Sequence, residues 1–151
     1  MRFVLHVLVS LLLGASAHAQ DEARYQLVML GDSLTAGFGV ARDAALPVQV
    51  QAALEARGRS DIQIVDAGVS GDTSGDGLRR FGFSVGPEAD GVLIALGGND
   101  ILQARDPAEL EANLRAIAAQ AHDRGLDVLI AGLTAPDNLG ARAGAYAAAF
   151  E

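Results

Sequence analysis

The stretch Leu27-Val28-Met29-Leu30-Gly31-Asp32-Ser33-Leu34 decides the fold class. Consecutive apolar residues cannot alternate between core and solvent, so the run predicts a strand covered on both faces, as in the middle of a parallel sheet. In open parallel sheets the loops leaving the carboxyl ends of the strands converge on a crevice, and chemistry collects there. Ser33 falls at that edge, where a hydroxyl is a nucleophile if a base reaches it and N–H groups face the oxyanion it creates.

Working outward, Ile62-Gln63-Ile64-Val65, Val92 to Leu96 and Val128 to Ala131 predict three further strands. Helices are predicted between them. Leu46, Val50 and Leu54 recur at spacing four, with Pro47 near the start and Gly58 at the end. Asp106-Pro107-Ala108-Glu109 combines an N-cap acid, a first-turn proline and a glutamate, and Leu110, Leu114, Ile117 and Ala121 follow before Gly125 stops the helix. An Ala-rich helix begins near Arg142. Gly68 to Gly77 reads as a glycine and hydroxyl loop, ending in a short helical stretch around Leu78 and Phe81. Strands alternating with helices predict an α/β fold of right-handed βαβ units, with a parallel sheet and helices on both faces.

Composition narrows the chemistry. The 151 residues suit a single domain, and half of them are hydrophobic, enough to bury a core although the chain has no cysteine. All 11 basic residues are arginine, scattered among 19 acids at a net charge of -8, so no basic stripe exists for nucleic acid. Without lysine there is no lysine-bearing phosphate loop and no Schiff base. Met1-Arg2, the apolar run Phe3 to Leu13 and Ala17-His18-Ala19 form the three zones of a secretory signal. The run of about 11 residues is shorter than the roughly 20 of a spanning helix, so residues 1–19 are expected to be cleaved after Ala19. An uncleaved anchor is the alternative. Residues 20–151 then form a periplasmic or secreted domain without stable membrane insertion.

Three polar clusters each follow an apolar strand: Gly31-Asp32-Ser33-Leu34, Ser70-Gly71-Asp72-Thr73-Ser74 and Gly97-Gly98-Asn99-Asp100. Singly, each reads as well as a turn or helix cap. In this order and spacing they resemble the SGNH or GDSL hydrolase superfamily, and most nearly its periplasmic arylesterases and acyl-CoA thioesterase/lysophospholipase-type enzymes. The likeness begins near Gln26 and runs to Glu151. It implies a three-layer α/β/α, flavodoxin-like sandwich of strand order 2-1-3-4-5, here without the last strand. It further implies a serine ester hydrolase that forms an acyl-enzyme on small carboxylic esters or thioesters and needs no cofactor.

By that resemblance Ser33 is the nucleophile, and its N–H, the Gly71 N–H and the Asn99 side-chain amide make the oxyanion hole. Residues of this kind suit those tasks. Glycine lets a backbone N–H approach substrate closely, and a neutral amide donates to a developing charge without competing for the proton. The loop Pro136-Asp137-Asn138-Leu139-Gly140 resembles the border of the acyl groove, so Asp32, Pro136 and Asn138 are candidate substrate-binding residues. Asp32, Asp72 and Asp100 read as loop braces that accept backbone N–H groups. A metal site is the other reading of these acids, but no imidazole lies among them.

One part of the family pattern has no counterpart: no D-x-x-H occurs in the 151 residues. With His6 and His18 in the signal, His122 is the imidazole left, at the carboxyl end of a helix that returns to the opposite end of the sheet from Ser33. The chain is therefore expected to be the amino-terminal part of a hydrolase, with little activity alone and an open edge on its fourth strand. A non-catalytic remnant that binds without turnover is the alternative. A nucleotide-binding domain fits the fold alone, since Gly-Asp-Ser-Leu is no G-x-G-x-x-G turn.

Overall fold

The computed structural model describes residues 24–134 and 139–151. Four strands form one sheet: β1 (Tyr25–Gly31), β2 (Ile62–Gly68), β3 (Gly91–Ala95) and β4 (Asp127–Ile130), in the order β2-β1-β3-β4. Every neighbouring pair is parallel, with Gly31 of β1 opposite Gly68 of β2 and Ala95 of β3. The helices are α1 (Leu46–Glu55), α2 (Ser74–Ser84), α3 (Gly98–Leu102), α4 (Pro107–Asp123) and α5 (Ala141–Ala148), with a 3-10 turn at Arg42–Ala44 before α1. The predicted α/β class and the first four places of the strand order are those observed.

Strand order explains where a site can form. The chain leaves β1 toward β2 on one side and returns through α2 to β3 on the other, so the order reverses at β1. Loops then part at the carboxyl ends of β1 and β3 and leave a crevice between them.

Alternation along each strand assigns its residues to layers. Val28 and Leu30 of β1 and Val92 and Ile94 of β3 are at most 2% exposed and pack with Phe81 and Val85 against Leu110, Leu114, Ile117 and Ala121 of α4. Those four α4 residues are the stripe expected from spacing, and α4 starts as its sequence predicts: Asp106 accepts the Ala108 N–H at 3.0 Å and Pro107 opens the helix. Tyr146 of α5 completes this layer. Met29, out of phase with Val28 and Leu30, is buried toward the opposite face, where α1 packs on β2.

The two sheet edges differ. On β2 the Gln51 side chain of α1 takes the place of a neighbouring strand, accepting the Ile64 N–H at 2.8 Å and donating to the Ile62 carbonyl at 3.2 Å. An edge paired in this way offers less template to another chain. On β4, Val128 and Ile130 pack inward while Leu129 is 57% exposed. Among the described residues β4 pairs only with β3.

Sequence reading missed two helix starts. Gly68 to Gly77 is not loop throughout: α2 starts at Ser74, because Thr73 and Asp76 form a reciprocal capping box. An aspartate at the third helical position reaches the N-cap N–H as the usual glutamate would. Likewise Gly97-Gly98-Asn99-Asp100 does more than end β3, since it turns directly into α3. Gly97 sits at φ 117°, a conformation that L side chains rarely adopt, and Phe150 closes the space where a Cβ would stand.

At the amino-terminal end of the sheet, the Tyr25 hydroxyl crosses Gly91 and donates to Asp127 Oδ2 at 2.7 Å, tying β1 to β4 over β3. Burial, then the Asp127 hydrogen bond and the charges of Asp127 and Asp90, push the phenol from 10.0 up to about 12. A group whose folded pKa is raised lends its full stability below the unfolded pKa and loses it as pH climbs through the folded one. Tyr25→Phe should therefore be less stable than the parent at pH 9. Chemical denaturation should show that difference shrinking between pH 10 and pH 12, and a constant difference would remove this contact from the stability of the fold.

Candidate active site

The turn after β1 folds back over the sheet. The Ala36 N–H donates to the Asp32 carbonyl at 3.0 Å and the Phe38 N–H to the Ser33 carbonyl at 2.9 Å. Two strand-end glycines make room for it. A Cβ on Gly31 would overlap the Thr35 side chain, and one on Gly68 would overlap the Ala36 backbone. Ser33 is thereby held half-buried at the carboxyl end of β1, in a turn that also carries the exposed apolar side chains of Leu34 and Phe38. Thr35 is fully buried beneath it, and among the described residues its hydroxyl meets no partner.

The second turn follows β2. The Val69 N–H donates to the Gly31 carbonyl at 3.0 Å, which carries the β1–β2 pairing past the strand end. Gly71 is exposed at φ 92° with open space where a Cβ would stand, so its glycine answers to backbone conformation rather than crowding. The third turn opens α3. There the Asn99 Nδ2 donates to the Asp72 carbonyl at 2.8 Å and binds the third turn to the second. The first and third turns also touch, because a Cβ on Gly98 would lie 3.1 Å from Asp32 Oδ2. All three polar clusters singled out in the sequence thus meet at one rim of the sheet. Among the described residues, the N–H groups of Ser33 and Gly71 meet no main-chain acceptor.

The aspartates divide into two kinds. Asp32 is 3% exposed and its Oδ1 accepts the Leu34 N–H at 3.0 Å, so it braces its own turn. Asp100, 1% exposed, takes the Ser74 N–H and hydroxyl at 2.7 and 2.6 Å, and Asn113 Nδ2 donates to the same hydroxyl at 2.9 Å. Each charge is buried with charge-assisted bonds in compensation. Asp72 departs from the expected pattern, since among the described residues its carboxylate takes no backbone N–H and pairs with Arg80 Nε at 2.6 Å. Sequence reading passed over Arg80. The signal was present, for Asp72 and Arg80 are opposite charges eight residues apart, about two turns along a helix that starts between them.

Two expected site residues, Pro136 and Asn138, lie outside the described residues. His122 is exposed in the last turn of the 17-residue α4, whose end leads through Gly125 into the start of β4. A helix of that length is about 25 Å long, so His122 stands at the far end of the sheet from Ser33. Among the described residues, no helix is long and apolar enough to cross a membrane.

Fold and site together define a doubly wound α/β domain whose serine, glycine and asparagine turns share the carboxyl rim of a parallel sheet. The profile of the GDSL-like Lipase/Acylhydrolase family matches residues 29–151, and the chain belongs to that family. Among its relatives, esterase TesA of Pseudomonas aeruginosa is 37% identical over 124 residues, covering 82% of this chain and 61% of TesA. The arylesterase of Vibrio mimicus is 34% identical over 136 residues, covering 89% of this chain and 68% of that protein. The chain therefore matches only part of these relatives, less than two thirds of TesA and about two thirds of the arylesterase. Among solved structures, AlinE4, described as an SGNH-hydrolase family esterase, superposes with a TM-score of 0.76 at 36% identity, over 84% of this chain and 67% of AlinE4.

Proposed function

We propose that this chain supplies the nucleophile and the oxyanion pocket of a serine hydrolase acting on carboxylic esters or thioesters. One observation carries the reading: Ser33, Gly71 and Asn99 belong to three turns that hydrogen bonds and close contacts join at a single sheet rim. Relatives named esterase, arylesterase and thioesterase/lysophospholipase support it. In this mechanism Ser33 Oγ bonds to the acyl carbon while the carbonyl π pair moves onto oxygen. The N–H groups of Ser33 and Gly71 and the second Asn99 N–H, the one not given to Asp72, receive that oxyanion. The pair returns as the leaving group departs as alcohol or thiol with the proton taken from Ser33. Water repeats the sequence on the acyl-enzyme, its proton returning to Ser33 Oγ as the acid leaves. Leu34 and Phe38, exposed beside Ser33, suit the apolar part of an acyl substrate.

A base must take the serine proton, and His122 is not placed to do so. We assign that task to the His/Asp pair that the family supplies from a D-x-x-H block, which the 151 residues do not contain. The same observation favours a second reading, a binding protein that keeps the groove without turnover. Incubating the complete gene product with a fluorophosphonate separates the two. Hydrolysis requires an adduct on Ser33 that Ser33→Ala abolishes, whereas an unlabelled protein or an adduct elsewhere overturns the assignment. We also propose that the first 19 residues direct export, in which case amino-terminal sequencing of the exported protein reads Gln20 first; a mature chain starting at Met1 would refute it.

A further inference from the structure

We propose that Arg80 is a positioning residue for the oxyanion pocket, setting through Asp72 and the Gly31 carbonyl where Gly71 and Asn99 stand relative to Ser33. The inference rests on the function proposed above. Arg80 lies on α2, and its side chain is 18% exposed against 13% for Asp72. Its guanidinium is used in three directions: Nε to Asp72 Oδ2 at 2.6 Å, one terminal nitrogen to the Gly31 carbonyl at 2.9 Å, and the other to Ser84 Oγ at 2.9 Å. Gly31 stands two residues before Ser33, and its carbonyl also accepts the Val69 N–H that brings in the second turn. One cation therefore grips the ends of two turns.

Asp72 passes the constraint to the third. It directly follows Gly71, its carboxylate is fixed by Arg80, and its main-chain carbonyl accepts one of the two Asn99 amide hydrogens at 2.8 Å. With that hydrogen committed, the direction of the other is set, and Asp72 decides both the plane of the amide and the aim of the neighbouring Gly71 N–H. A planar fork of donors does this where a point charge cannot, because lysine has no second nitrogen to hold Gly31 while it pairs with Asp72. Exposed ion pairs contribute little to stability, but this one is mostly shielded from solvent and geometrically over-determined.

A salt bridge that only stabilises the fold would leave kcat unchanged in any variant that stays folded. The test is a double-mutant cycle in the complete gene product, using a short-chain aryl ester. Arg80→Gln should lower kcat by about 10²-fold, as a donor displaced by about 1 Å would, with KM within about twofold of the parent. Because Asn99 carries part of the effect and Gly71 the rest, adding Arg80→Gln to Asn99→Ala should lower kcat by clearly less than the about 10²-fold it costs in the parent. Losses that multiply in the double variant, or an unchanged kcat in folded Arg80→Gln, overturn the proposal. If Arg80→Gln does not fold, Arg80→Lys decides in the same cycle: a lowered kcat coupled to Asn99 supports the role, and a parental kcat or independent losses refute it. A parent enzyme that neither turns over ester nor takes a fluorophosphonate on Ser33 would defeat the proposed function instead, so the two failures are distinguishable.

Discussion

Replacing Ser33 with alanine in the complete gene product should lower kcat for an aryl ester by about 10⁶-fold, the loss found when the nucleophile of a serine hydrolase is removed. The loss should fall on kcat, because one hydroxyl contributes little to ground-state binding while the acyl-enzyme route disappears without it. Folding should be unaffected. Ser33 holds its turn through its main-chain carbonyl, which accepts the Phe38 N–H, and alanine keeps that bond. Steady-state kinetics with a melting curve on the same preparation measures both quantities. Turnover within tenfold of the parent would mean that another nucleophile, or a directly activated water, performs the reaction.

The second large effect is expected at Asn99. Removing one oxyanion donor costs about 2.7–4 kcal/mol of transition-state stabilisation, so Asn99→Ala should lower kcat by about 10²- to 10³-fold with KM little changed. Asn99 also ties the third turn to the second through the Asp72 carbonyl, which gives a sharper test. Asn99→Asp keeps the shape of the side chain, but an ionised carboxylate has no hydrogen to give, either to Asp72 or to an oxyanion. It also sets a negative charge beside the one that develops on the substrate. It should therefore be at least as slow as the alanine variant, and an aspartate variant near parental kcat would remove Asn99 from the oxyanion pocket.

The residues legible from sequence were those whose local chemistry repeats a known physical pattern. The four apolar runs, the stripe Leu110, Leu114, Ile117 and Ala121, and the Asp106-Pro107 helix start all declared themselves, because burial and capping impose spacing on the chain itself. Ser33, Gly71 and Asn99 were singled out as candidates by their place after strands and by resemblance. Residues whose partners lie far along the chain were not legible. Arg80 donates to Gly31, 49 residues away, and Gln51 completes the edge of β2 from a helix. The start of α2 escaped for a nearer reason, since Thr73 and Asp76 cap with an aspartate where a glutamate is the usual signal.

Sequence by itself determined the alternation of strand and helix, the parallel sheet that follows from it, and the carboxyl edge as the place where the three polar turns gather, since hydrophobic period and chain handedness are properties of consecutive residues. Tertiary structure alone decided that the guanidinium paired with Asp72 also reaches the Gly31 carbonyl. It also decided that Asn99 spends one of its two hydrogens on the second turn, and that Gly31 and Gly68 are bare so that the serine turn can lie over them. These are distances between segments that only folding brings together, and no local pattern in the chain encodes them.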